Sequence, residues 1–248
     1  VPPGVEVRDE ESAGLVPAPV SELRERGGFS ADGLTLGWRF RGAAPGGRLR
    51  VTRPAASVTA NVSVLATPAE DHVTVDAAIR LTVQRSGVRE MRVVVDPPLG
   101  DALRVEGPDV AERRRETVDG HDVWTVRFVR LVRDGTTVAL HADIPLSGAP
   151  VAVPSVRVDG ASRQDVHVGV AAAGELEVTT EATGLVPADA ADLPPEFGGT
   201  ASGLLRAWRA ERGATPTLTV GAVRLPASPL PSTFADTVAL QTVIGMDG

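Results

Sequence analysis

Apolar residues recur at every second position through run after run of this chain. Leu34 to Phe40 (LTLGWRF), Arg48 to Thr52, Ser57 to Leu65, His72 to Gln84 (HVTVDAAIRLTVQ) and Arg89 to Val95 read this way. So do Ala102 to Glu106, His121 to Val132 (HDVWTVRFVRLV) and Thr136 to Leu146. The last third adds SVRVD, DVHVGVAAA, ELEVTTE, LLRAWRAE, TLTVGAVRL and FADTVALQTVIG. A period of two places one face of each segment in a core and the other in water, which predicts strands. Trp124, Val126 and Phe128 fall on one such face and are expected in the core.

Turn residues separate the runs. Asp119-Gly120, Asp134-Gly135 and Asp159-Gly160 each lie between apolar segments. Such pairs suit type I′ hairpins, whose two central positions need positive φ. Pro97-Pro98, Pro194-Pro195 and the stretch from Pro226 to Pro231 mark loops or edges. Helix signals are few. PVSELRERGG predicts one or two turns capped by Ser21, and ADAADLPPEF one turn that Pro194 ends. About six strands between residues 66 and 147, with turn signals every 8–15 residues, predict an antiparallel β-sandwich of immunoglobulin or fibronectin type.

A repeat sets the organisation around that centre. Gly14–Ala44 aligns without gaps on Gly184–Ala214, 170 positions later, with 13 of 31 residues identical. The identities include the pentapeptide GLVPA, Leu23/Leu193, Leu34/Leu204, Trp38/Trp208 and Arg39/Arg209. With a one-residue slip, Leu49 then meets Leu218 and Val51 meets Val220. This predicts an all-β chain in three parts: a truncated β-repeat copy over 1–65, a central sandwich over 66–147, and a second repeat copy over 148–248. The first copy lacks the strands that precede the second, so the chain is expected to be a piece of something longer. Its residues 1–65 should then lean on the rest of the chain or on another molecule.

Composition narrows the chemistry. Aromatic residues are 3% of the chain and Tyr is absent, while Val and Leu dominate, as in proteins built from many short strands. All 25 basic residues are Arg, in keeping with the Ala, Gly, Pro and Val of GC-rich coding. They are spread along the strands, and the net charge is −7, which disfavours a nucleic-acid partner. There is no Cys, so neither disulfides nor thiolate metal sites arise. No apolar run reaches the length of a membrane span.

Several segments resemble modules of very large, membrane-anchored, extracytoplasmic bacterial proteins of uncharacterised role. The likeness lies in HVTVDAAIRLTVQRSGVREMRVVVDPPLGDALRVEG, WTVRFVR and TTVALHADIPL, followed by VRVDGASRQDVHVGVAAAGELEV, GLVPADAADLP, LLRAWR and TPTLTVGAVRLPAS. In that family a sandwich with a Pro-Leu ending precedes an R-x5-V-x-V strand and a G-L-x6-L-P loop. Arg163, Val168, Val170, Gly184, Leu185, Leu193 and Pro194 stand at those places. The resemblance covers nearly the whole chain. It implies export to the periplasm or cell surface, a scaffold-like role and no catalytic residues.

The search for an active site returns little. No Gly-x-Ser-x-Gly elbow, Ser-x-x-Lys pair, phosphate loop or dinucleotide fingerprint occurs. His72, His121, His141 and His167 never pair at zinc spacing, so no metal site and no cofactor are expected. His121-Asp122 beyond the Asp119-Gly120 turn gathers polar atoms suited at most to weak calcium contact. Trp38 and Trp208 share even spacing with Leu34 and Leu204, which favours a common core position for the indoles; a repeated sugar-stacking platform is the alternative. Arg39 and Arg209 would then point outward.

These observations predict a non-catalytic structural or interaction module of a larger extracytoplasmic protein. Its partners would be other segments of the parent or other surface proteins. The alternatives are a carbohydrate-binding module, with glycans as partners, and a hydrolase with paired carboxylates. Trp38, Trp208, Arg39 and Arg209 are the candidate binding residues.

Overall fold

The computed structural model describes residues 5–27, 36–40, 46–52, 54–171, 176–189, 193–197 and 203–225. The chain is all-β, with eighteen strands and one α-helix among the described residues. A first unit holds β1 (Glu6–Ala13), β2 (Leu15–Pro17), α1 (Val20–Gly27), β3 (Trp38–Phe40) and β4 (Gly46–Thr52). The centre follows with β5 (Ser57–Pro68), β6 (His72–Gln84), β7 (Val88–Asp96), β8 (Arg104–Glu106), β9 (Val110–Val118), β10 (His121–Val132) and β11 (Gly135–Pro145). Then come β12 (Val151–Val153), β13 (Ser155–Asp159) and β14 (Arg163–Ala171), and finally β15 (Leu176–Thr183), β16 (Leu185–Pro187), β17 (Leu204–Ala210) and β18 (Thr217–Arg224).

Two sheets face each other. One has the order β16-β17-β14-β5-β6-β11-β8, the other β13-β7-β10-β9. Alternation along β6 shows why they stack. Val73, Val75, Ala77, Ile79, Leu81 and Val83 are buried, while the residues between them reach the surface. Met91, Val93 and Val95 of β7 and Trp124, Val126 and Phe128 of β10 meet them from the opposite sheet in one apolar cluster. Burying side chains such as Ile79 or Leu81 contributes about 2–3 kcal/mol each. The sheets are antiparallel except where β14 lies parallel to β5, Val166 beside Val62. The sandwich thus includes most of β5 from before residue 66 and β13, β14, β16 and β17 from after residue 147.

The three Asp-Gly turns differ. Asp119 (φ 52°) and Gly120 (φ 82°) both adopt positive φ, the type I′ requirement. At 159–160 only Gly160 does (φ 75°), and at 134–135 neither residue does. Gly135 answers a different need: a Cβ there would sit 2.6 Å from the backbone oxygen of Leu81 on the neighbouring strand. The helix starts at Val20, so Ser21 lies inside its first turn instead of capping it; Glu22 N donates to the Pro19 carbonyl (3.0 Å). A 3₁₀ turn at Pro195–Phe197 follows Pro194, and Phe197 N bonds the Pro194 carbonyl (3.0 Å). Its aromatic ring is buried. The strand expected at FADTVALQTVIG, the prolines from 226 to 231, Leu34 and residues 190–192 lie outside the described residues.

Outside the sandwich, β12-β18-β15 form a three-stranded sheet, and β1-β4 and β2-β3 form two-stranded ones.

Candidate functional site

The two hairpins that carry the paired tryptophans share one register. In the first, Leu15, Val16 and Pro17 stand opposite Phe40, Arg39 and Trp38. In the second, Leu185, Val186 and Pro187 stand opposite Ala210, Arg209 and Trp208. Each pair is the other moved by 170 residues. The flanking bond is repeated too: Ala18 N to the Gly37 carbonyl at 2.8 Å, Ala188 N to the Ala207 carbonyl at 2.9 Å. Gly14 and Gly184 enter the hairpins with φ of 69° and 66°, a left-handed conformation that glycine adopts without a Cβ clash.

The surroundings then diverge. The second edge of β17 is taken by β14, with Val168 opposite Trp208 and Gly169 opposite Ala207. Trp208 is accordingly 7% exposed and part of the core. The second edge of β3 has no partner among the described strands. Trp38 is only half-buried, and its Nε1 donates to Asp9 Oδ2 at 3.1 Å. The expectation of a shared core position therefore describes Trp208, whereas no described strand lies along the outer edge that carries Trp38.

The outer strands repeat the contrast. β18 runs between β12 and β15, and its Leu218 and Val220 are 3% and 0% exposed. Among the described strands β4 pairs only with β1, and Leu49 and Val51 are 48% and 64% exposed. Register is not kept here. Leu49 faces Asp9 across a strand irregular between Asp9 and Glu11, while Leu218 faces Ala182 in an unbroken ladder.

The arginines part company as well. Arg39 reaches Glu22 of α1 at 3.4 Å. Arg209 stands across from His167 of β14 and lines a cleft of about 1230 Å³ between the β17–β18 corner and the β13 side of the sandwich. Asp96, His121, Arg157, Gln164 and Arg212 contribute to the same walls. Gln164 belongs to the scaffold: its Oε1 accepts from Val158 N (2.7 Å) and its Nε2 donates to the Val156 carbonyl (3.2 Å), tying the edge strand β13 in place. Asp165 is held by a two-point contact from Arg163 (3.0 and 3.2 Å). Arg209 and Arg212 have no ion-pair partner among the described residues. Burial, and secondarily the positive charge of Arg209, push the His167 imidazole below its ordinary value; Asp165 opposes weakly.

His121 and Asp122 separate because successive strand residues point to opposite faces. His121 Nδ1 lies 3.1 Å from Asp96 Oδ1 in the cleft. Asp122 turns inward, fully buried, and accepts from Leu99 N (2.9 Å) and Gly100 N (2.7 Å). Its oxygens hold the 3₁₀ turn at Gly100–Ala102 and are not turned toward a cation with His121. On the far face, His141 Nδ1 meets Asp76 at 2.8 Å, and this hydrogen bond holds the imidazole above its ordinary value. Among the described residues no three His, Asp or Glu side chains are grouped to hold a metal ion. None of their helices is long and apolar enough to cross a membrane.

Sequence reasoning singled out Arg209 but not the cleft around it. Asp96, His121, Arg157 and Arg212 come from four separate strands and loops, and no spacing signal joins them.

Comparison with known proteins adds little. No protein-family model matches the chain, and no curated protein does. Among solved structures it is similar to the M1 zinc metallopeptidase from Deinococcus radiodurans, with 14% identity and a TM-score of 0.30 over 67% of this chain and 42% of that one. A mutant of that enzyme gives 14% identity and 0.32 over 68% and 43%. A two-domain M1 zinc metallopeptidase mutant bound to L-tryptophan gives 12% and 0.31 over 73% and 50%. The chain thus spans half or less of the length of these structures.

Proposed function

We propose that this chain is a non-catalytic structural and interaction module of a larger extracytoplasmic bacterial protein, and that its two hairpin units are copies of one repeat. The observation that carries this reading is the pairing state of the two units. One is built into the seven-stranded sheet. The other presents strand edges with no described partner strand and exposed apolar side chains, the features by which β proteins join other chains. The matching registers of Trp38 and Trp208 support the repeat. The partners are other segments of the parent protein or other surface proteins. A net charge of −7 does not favour nucleic acid.

The test is twofold. The purified chain should turn over neither peptide, ester nor glycoside substrates, and it should bind extended peptides through strand pairing. Turnover abolished by His121→Ala, next to Asp96 in the cleft, would overturn the reading.

A second reading, a carbohydrate-binding module, is favoured by the cleft alone, where Arg209 and Arg212 offer hydrogen-bond donors to an acidic sugar. Binding to acidic glycans that is lost in Arg209→Ala, with folding intact, would support it. The buried indole of Trp208 offers no stacking face there.

A further inference from the structure

We propose that the second edge of β3 accepts an extended strand with the pattern of β14, supplied in trans by another polypeptide built from the same kind of module. The inference rests on the interaction-module reading and names the partner strand and its register.

The second hairpin shows the arrangement filled. There β14 lies antiparallel to β17, with Val168 opposite Trp208, Gly169 opposite Ala207 and Val170 opposite Arg206. The first hairpin repeats the inner pairing of the second but leaves the outer edge without a described partner. The backbone groups at that edge follow from the alternation of an antiparallel ladder. Ala18 N donates to the Gly37 carbonyl, so Gly37 and Arg39 turn their N–H and C=O groups toward β2. Trp38 and Phe40, one step out of phase, turn theirs to the side where no described strand lies. An unmet row of such groups is a template for strand addition.

The side chains agree with the backbone. Phe40 is 69% exposed, and Leu36, Leu49 and Val51 of the same unit are exposed as well. Leu218 and Val220, the counterparts of Leu49 and Val51, lie on β18 between β12 and β15 and are buried. The chemistry of the missing strand is read from β14: valines at alternate positions with a glycine between them. Carried over by 170 residues, one valine faces Trp38, the glycine faces Gly37, the other valine faces Leu36, and a histidine stands beside Arg39. The chain's own β14 cannot serve, because β5 and β17 occupy both its edges.

The probe is a synthetic peptide with the sequence of Arg163–Ala171, blocked at both ends. It is titrated into the full chain by calorimetry, and amide shifts of the ¹⁵N-labelled protein locate it. The expected result is saturable binding in equimolar ratio, with shifts centred on Leu36–Phe40. Phe40→Pro removes one edge N–H without touching the pairing with β2, and it should weaken binding about tenfold. Phe40→Ala keeps that N–H and should retain more of the affinity. Binding that shifts a different edge, or that Phe40→Pro leaves unchanged, overturns this inference while strand pairing as such survives. Failure of this peptide alone also overturns it; failure of every extended peptide tested removes the interaction-module reading as well.

Discussion

Trp38 and Trp208 stand opposite Pro17 and Pro187 at the same place in two hairpins, yet only Trp208 is inside the core. β17 is paired on both edges within the seven-stranded sheet and its Trp208 joins the sandwich core, whereas no described strand pairs with the outer edge of β3.

That contrast has a direct consequence for stability. Trp208→Ala removes a large buried side chain and should cost about 3–5 kcal/mol. Trp38→Ala removes a half-buried one and should cost about 1 kcal/mol or less, loss of the Asp9 contact included. Urea unfolding of the two variants, with secondary structure followed by circular dichroism, measures both.

Asp122 should be the most sensitive carboxylate. Its removal in Asp122→Ala leaves the partly buried Leu99 and Gly100 amide groups without their acceptor. A loss of about 2–4 kcal/mol is expected. Thermal unfolding checks it, with Asp101→Ala as a control: Asp101 is 96% exposed at its side chain and pairs with Arg115.

Gly169 tests the junction between β14 and β17. A Cβ there would come within 2.8 Å of Phe197 and 2.9 Å of Leu204 side chains. Gly169→Ala should therefore destabilise by about 1–3 kcal/mol through overpacking. Adding Phe197→Leu to the alanine variant should recover part of the loss, which a double-mutant cycle reads out.

Two histidines should respond to pH in opposite senses. His141 has its value raised above 6.5 by its hydrogen bond to Asp76, so its stabilising effect is full below about 6.5 and fades as pH rises through the raised value. His167 has its value lowered from 6.5 by burial, so its contribution is full above about 6.5 and is lost as pH falls through the lowered value. NMR titration of the imidazoles should order them with His141 above His167. Asp76→Asn should bring His141 down and leave His167 where it is.

Most of the fold was legible because alternation is a local signal. His72 to Gln84 and His121 to Val132 are strands over the very spans that their pattern marks. Sheet order was not legible. Nothing in DVHVGVAAA announces that β14 lies parallel to β5 on one side and antiparallel to β17 on the other. The short strands β2, β12 and β16 are three residues each, too brief to show a period. The mixed charge run Glu112–Glu116 (ERRRE) lies in the edge strand β9, where one neighbour and water satisfy a polar segment. The cleft was hidden for a related reason: it forms where strands far apart in sequence meet, and its His121 gave no sign of facing Asp96.

Amide hydrogen exchange at Trp38 and Trp208 tests the central claim most directly. The Trp208 N–H, between β16 and β14 in a seven-stranded sheet, should exchange near the rate of global unfolding. The Trp38 N–H, on an edge with no described partner strand, should exchange at least about a hundredfold faster. Equal protection of the two would contradict the account, because the first hairpin would then already have its missing strand.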